Sequence, residues 1–142
     1  MGSLSTVFSL TNQPGGGSND LALGKTATQS STLPGYASAS AVAASAVDGN
    51  PDGNFFDGSV TATSLDPNPW WQVDLGASAS VSSVVVWNRT DCCVSRLNDY
   101  WVFISDTPFL PTDTFGQSPA LFASLIGKLC FQRFTGAMVI CT

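Results

Sequence analysis

The sequence predicts an all-β domain, and three observations carry that prediction. Apolar runs rich in valine and aromatics, Val84-Val85-Val86-Trp87 and Tyr100-Trp101-Val102-Phe103-Ile104, are strand-like in length and composition. The segment Asn68-Pro69-Trp70-Trp71-Gln72-Val73-Asp74-Leu75-Gly76 alternates on a period of two, as a strand with one buried face does. Between such runs lie clusters of Gly, Pro, Asn and Asp, the residues that make turns.

Residues 1–20, ending Gln-Pro-Gly-Gly-Gly-Ser-Asn-Asp, read as a short apolar patch followed by a flexible linker. They lack a basic stretch followed by an apolar core and so make no convincing signal peptide. Leu21 to Ser31 opens the domain. Ser38 to Val47 is rich in Ala and suits one short helix, which Asp48-Gly49-Asn50 stops. Asp48 to Asp57 is turn-forming and dense in oxygen donors. Trp70 and Trp71 fall in the alternating strand, where only one can face outward, so core packing is expected there. Val81 to Trp87 follows as a strand whose valine run suggests burial on both faces. After Tyr100–Ser105 comes a Pro-rich turn, Asp106 to Asp113. Residues 115–142 form an apolar tail in which Ala120–Leu129 reads as helix or strand and Val139-Ile140 as a last strand.

With 142 residues, the chain is expected to form one domain with a real core. Only 11% of residues are charged, which fits a neutral, polar, extracellular surface. The net charge of −5 argues against nucleic acid or anionic membrane as a partner. No apolar run approaches the ~20 residues that span a bilayer. Histidine is absent and all ten acidic residues are aspartate, which removes a His-based triad, a His-ligated zinc and the usual Glu acid/base pair. An enzyme is therefore not expected. Four cysteines, Cys92, Cys93, Cys130 and Cys141, point to an oxidising compartment.

The candidate site is the loop between the two apolar runs. Two of the five cationic side chains, Arg89 and Arg96, lie in it, with Asp91 and the adjacent pair Cys92-Cys93 between them. Arginine offers a rigid fork of donors suited to neighbouring acceptors. Adjacent cysteines are either two separate thiols or a strained ring, since Cα atoms ~3.8 Å apart lie below the usual disulfide span of roughly 4.4–6.8 Å. Asn88-Arg89-Thr90 is an N-glycosylation sequon, read as unglycosylated because a glycan there would block the loop.

At this point the residues resemble the F-type lectins, fucose-binding jelly-roll β-sandwiches of the galactose-binding-like class. Arg89-Thr90-Asp91 followed by Arg96 fits the second half of that family's signature, and Pro69-Trp70-Trp71 to Gly76 resembles its core strand. The resemblance implies a Cys92-Cys93 vicinal disulfide packing on the apolar face of a sugar. It implies Arg89 and Arg96 as donors to sugar oxygens, Asp91 as the residue that orients Arg89 or the loop, and Leu33, Phe55 and Phe56 around the deoxysugar methyl. It also implies a structural calcium at Ser45 and Asn50 (through their carbonyls), Asp48 and Ser59, although the glutamate that completes the family's site has no counterpart. The family's ligand-binding histidine falls at Ala62, so sugar binding is expected to be weakened or altered.

The resemblance covers residues 21–114 and fades over 115–142, which suggests a sandwich with incomplete closing strands. The expected function is a secreted carbohydrate-binding module for fucosylated glycans, gaining avidity in an oligomer or a larger multidomain protein. The alternative is a β-sandwich that binds no sugar and serves adhesion or assembly.

Overall fold

A computed structural model describes residues 5–12, 19–35, 41–79, 81, 83–97, 100–105 and 134–141. They form two four-stranded sheets, an all-β sandwich. In the first, β1 (Ser5–Asn12) pairs with β2 (Asn19–Asp20), β4 (Thr61–Ala62) and β6 (Ser83–Asn88), all antiparallel. The second has the order β3-β5-β8-β7, with β3 at Thr26–Gln29, β5 at Trp70–Ala79, β7 at Trp101–Ser105 and β8 at Phe134–Cys141.

Two sequence expectations change here. Residues 1–20 were expected as a flexible segment, yet Ser5–Asn12 is a strand whose pairing with β6 runs from Thr6↔Asn88 to Thr11↔Ser83. Apart from the two-residue β2, its partners lie far along the chain, so no local pattern announces it. The C-terminal stretch was expected to offer Val139-Ile140 as a last strand in an incomplete set; β8 contains those two residues, runs longer, and sits between β5 and β7. The Asp106–Asp113 turn, the Ala120–Leu129 segment and Cys130 fall outside the described residues.

β5 shows why the sandwich holds. Trp71, Val73 and Leu75 point inward at every second position and are 0%, 0% and 6% exposed. They pack with Ala22, Ala46, Val47 and Val81, and the Trp71 indole N–H donates to the Ala43 carbonyl at 2.9 Å, so burying the ring strands no donor. Truncating such a ring to alanine costs about 3–5 kcal/mol. The expected short helix is a 3₁₀ turn, Ala43–Val47, resting on this core; residues 38–40 of the expected segment lie outside the described residues. Between Asp74 and Ser78 the register of β5 against β8 shifts. Gly76 stands there at φ 75° with its N–H bound to the Asp74 carboxylate at 2.8 Å, a left-handed backbone that glycine adopts without steric cost.

β6 departs from the reading of its valine run. Val85 and Trp87 are 40% and 46% exposed, so one face of the strand is open rather than covered.

A second, smaller cluster positions the site. Ala41, Phe55, Val60 and Ala62 are buried together, with Leu33 packed against them. Gln29 binds this region from β3: its Nε2 donates to the carbonyls of Ala41 (3.0 Å) and Ala62 (3.3 Å), and its Oε1 accepts from the Thr61 hydroxyl. The strand that carries Ala62 is thereby fixed to the rest of the second cluster.

Candidate functional site: two interlocked loops

Two loops meet above that cluster. The first, residues 48–59, is organised by its own side chains. Asp48, Asn50, Asp52 and Asn54 each accept, through Oδ1, the backbone N–H two residues on, at 2.8, 3.1, 2.9 and 3.2 Å. Four successive Asx turns of this kind set much of the loop's path locally. They deliver Phe55 and Phe56 on a short 3₁₀ turn, Phe55–Asp57.

The second loop leaves β6 after Asn88. Arg89 is 8% exposed, and Asp91 grips it with both oxygens: Nε donates to Oδ1 at 2.7 Å and Nη2 to Oδ2 at 2.6 Å. This bidentate pairing orients the guanidinium plane. Among the described residues it uses two of the five N–H groups, and the others remain for an outside acceptor. Below, the guanidinium carbon lies 4.3 Å from the centre of the Phe55 ring. These hydrogen bonds from Arg89, helped by the Phe55 N–H, hold the Asp91 carboxyl down to about 2 against a smaller opposing effect of desolvation.

The loops are joined through the backbone. The Thr90 N–H donates to the Gly53 carbonyl at 2.9 Å, and the Phe55 N–H donates to Asp91 Oδ1 at 3.1 Å. Gly53 sits so close that a Cβ there would lie 2.6 Å from the Asn88 carbonyl oxygen and 2.7 Å from Thr90 Cγ2. Only glycine fits this junction. The sequence displays Gly53 as one more turn residue, and nothing local marks its role.

Beyond Asp91, Cys92 and Cys93 form a disulfide with Cα atoms 3.8 Å apart. Cys93 is the one non-glycine residue among those described with positive φ, 61°. Both cysteines are half-buried. The chain then enters a 3₁₀ turn, Val94–Arg96, held by the Arg96 N–H on the Cys93 carbonyl at 2.9 Å. The Asn88 side chain also reaches this turn, donating to the Val94 carbonyl at 2.8 Å.

The structure therefore brings Arg89, Asp91 and Phe55 into direct contact, with Cys92-Cys93 beside them. Phe56 stands at right angles to Phe55, with ring centres 5.6 Å apart, and is 51% exposed. Arg96 is exposed, and among the described residues its side chain makes no ion pair. Ala62 and Leu33 belong to the cluster beneath, with the Leu33 N–H on the Ala62 carbonyl at 2.9 Å; Ala62 is 1% exposed. Phe55 is buried too, so it underlies Arg89 and does not form the open surface.

The oxygen donors expected to hold calcium lie around the first loop. Asn50 Nδ2 donates to Ser59 Oγ at 2.8 Å, Asp48 follows the turn that contains the buried Ser45, and the donors are all oxygens, the kind calcium takes. Asp48 is the single carboxylate of the set. Among the described residues, no three His, Cys, Asp or Glu side chains cluster as a metal site. Four oxygens fall short of the six to eight that calcium takes, so the set fits in kind, with the rest left to backbone or water.

A sandwich with this loop constellation defines a class, and comparison bears it out: the chain belongs to the NedA-like, galactose-binding domain family, whose pattern its residues 45–121 match. Its relatives include the fucolectin of Anguilla anguilla, 47% identical over 72 residues, or 51% of this chain and 46% of that protein. Fucolectin-4 of Anguilla japonica is 42% identical over 88 residues, or 62% of this chain and 49% of that one. The chain thus spans about half the length of the fucolectins it matches. The lectin domain of lectinolysin, solved with Lewis B antigen, superposes with a TM-score of 0.62 at 28% identity, covering 87% of this chain and 84% of that domain. A fucose-binding module of Streptococcus pneumoniae, SpX-3, shares the fold with a TM-score of 0.62 at 24% identity, over 85% of this chain and 84% of that one. These relatives are lectins, not enzymes, and the expected F-type lectin resemblance holds. Among the described residues, no helix is long and apolar enough to cross a membrane.

Proposed function

We propose that this domain is a lectin module for terminal L-fucose-like sugars on glycans. The observation that carries the reading is Arg89, fixed by Asp91 above the Phe55 ring with guanidinium N–H groups left over. A donor fork held rigid before the ligand arrives loses little entropy on binding. Arg89 and Arg96 donate to ring and hydroxyl oxygens, and the Cys92–Cys93 pair packs on the apolar face of the pyranose. Phe56 and Leu33 border the deoxysugar methyl, with Phe55 beneath. Burying that methyl contributes about 0.8 kcal/mol. The names of the relatives support the same ligand class.

Ala62 contributes no polar side chain where the family places a histidine, and losing one neutral donor costs about 0.5–1.5 kcal/mol. That is roughly a threefold to tenfold loss of affinity. A single site is accordingly weak, and useful retention on a glycan surface comes from several copies, in an oligomer or a longer protein. Secretion fits both the disulfide and the ligand.

We further propose that calcium binds at Asp48 and Ser59 with the carbonyls of Ser45 and Asn50. Its contribution there is electrostatic neutralisation and cross-linking of the loop, with no part in contacting the sugar.

The deciding experiment is calorimetric titration of free L-fucose, with calcium present, into the wild type and Ala62→His. Weak binding by the wild type, strengthened by the histidine, supports both the ligand and the site. Silence from both proteins rejects the lectin reading and favours a sandwich used for adhesion or assembly.

A further inference from the structure

We infer that Asn88 is a positioning residue of this site, and that its carboxamide sets where the disulfide turn and Arg96 stand relative to Arg89. The inference rests on the reading of the loop as a sugar site. Asn88 is the last residue of β6, and its backbone is paired with Thr6 of β1. Its carbonyl side is hemmed in by Gly53. From this fixed place its Nδ2 donates 2.8 Å to the carbonyl of Val94. That bond closes a loop containing Arg89, Asp91, Cys92 and Cys93, and Val94 opens the turn that carries Arg96.

Such a closure has a conformation to hold in place. Cys93 sits at φ 61° and ψ 24°, a left-handed backbone that a non-glycine residue keeps only where its surroundings enforce it. Asn88 enforces it from the strand side and the Arg96 N–H on the Cys93 carbonyl from within the turn. The chemistry requires a short side chain ending in a donor. Aspartate has the same shape but only acceptors, so it would face the Val94 carbonyl with like charge density. Serine is too short to span the loop.

The same nitrogen is the acceptor atom of the Asn88-Arg89-Thr90 sequon. A glycan there would replace one of its hydrogens and place bulk at the loop closure. The site therefore works with Asn88 unmodified, and the sequon is a by-product of two placements: an amide needed at 88 and a threonine packed against Gly53 at 90.

The test uses the full chain carrying Asn88→Asp or Asn88→Ser, with three readouts: affinity for free L-fucose, rate of Cys92–Cys93 reduction by dithiothreitol, and melting temperature. We expect affinity to fall about fivefold or more and reduction to quicken severalfold, with melting shifted by only a few degrees. Both variants binding within twofold of wild type and being reduced at its rate would overturn the inference. Should wild type itself fail to bind fucose, the lectin reading falls and the reduction rate alone decides: an unchanged rate rejects the role of Asn88. Should the variants not fold, hydrogen exchange of the Asn88 carboxamide in the unaltered protein decides, with protection supporting the closure and exchange as fast as in a free asparagine rejecting it.

Discussion

The Arg89 guanidinium carbon stands over the Phe55 ring, 4.3 Å from its centre, and the Phe55 N–H donates to the carboxylate that grips the same guanidinium. One residue of the first loop thus acts twice on the functional side chain of the second. Its ring faces the cation, and its backbone helps place the anion. The cation–ring contact contributes about 0.5–1 kcal/mol at an exposed site and about 2 when desolvated.

Phe55→Leu separates these roles, because it keeps an aliphatic filling for the lower cluster and the backbone N–H for Asp91 while removing the ring. The core change costs about 1–1.5 kcal/mol of stability. Fucose affinity is expected to fall severalfold, measured by calorimetry beside a thermal melt. An unchanged affinity would show that Asp91 alone positions Arg89.

Acid should find Asp91 late. Its carboxyl is depressed from 3.8 to about 2 by the Arg89 hydrogen bonds. A depressed folded value means that the contribution is fully present above pH ~4 and is lost as pH falls through the folded value. Fucose affinity should therefore be the same at pH 7 and pH 5 and decline below about pH 3. Asp91→Asn should bind at least tenfold more weakly at neutral pH and lose this acid dependence, since a charge-assisted hydrogen bond contributes about 1.5–3 kcal/mol. Titrations at three pH values on both proteins decide it.

Gly53→Ala introduces a Cβ 2.6 Å from the Asn88 carbonyl oxygen, a backbone atom that cannot swing aside. The two loops must part to admit it, at a cost of about 1–3 kcal/mol. Melting temperature and fucose affinity are both expected to drop. Asp52→Asn, which keeps the Oδ1 acceptor of its Asx turn, should change neither.

Calcium removal should affect stability more than binding. The first loop already takes its path from four Asx turns, so chelation is expected to lower the melting temperature while leaving fucose affinity within about twofold. Asp48→Asn retains the turn but removes the carboxylate, and should abolish the calcium-dependent shift in melting. A fucose site that vanishes on chelation would mean that the four Asx turns do not suffice.

The legible parts of the sequence were those with a local signature. Period-two alternation let only one of Trp70 and Trp71 face outward, and the structure buries Trp71 fully. The adjacent cysteines alone left two thiols or a ring open, and the resemblance to the F-type lectins implied the vicinal disulfide that the structure contains. The valine run of β6 misled, because a continuous apolar stretch reads as covered on both faces whether or not anything lies over Val85 and Trp87. Gly53 and Asn88 were hidden for another reason. Each matters through a contact between segments far apart in sequence, and in the chain itself they resemble any turn glycine and any glycan acceptor. Phe55 was expected at the site only through the family resemblance, and its place beneath Arg89 depends on how two loops stack, which no single loop encodes.

β1 has a bearing on how the domain is made. Three strands of its sheet pair with Ser5–Asn12, and in the described residues none of them pairs with another. β1 is the first strand of this sheet in the chain, and its partnerships are completed only once β4 and β6 have followed. The arginine loop follows β6 directly, so all four strands of this sheet precede it in the chain and its base is laid down before the loop itself is made. Cutting the chain at the Gly-rich stretch of residues 14–18, where composition invites a boundary, would leave three orphaned strands in place of one sheet.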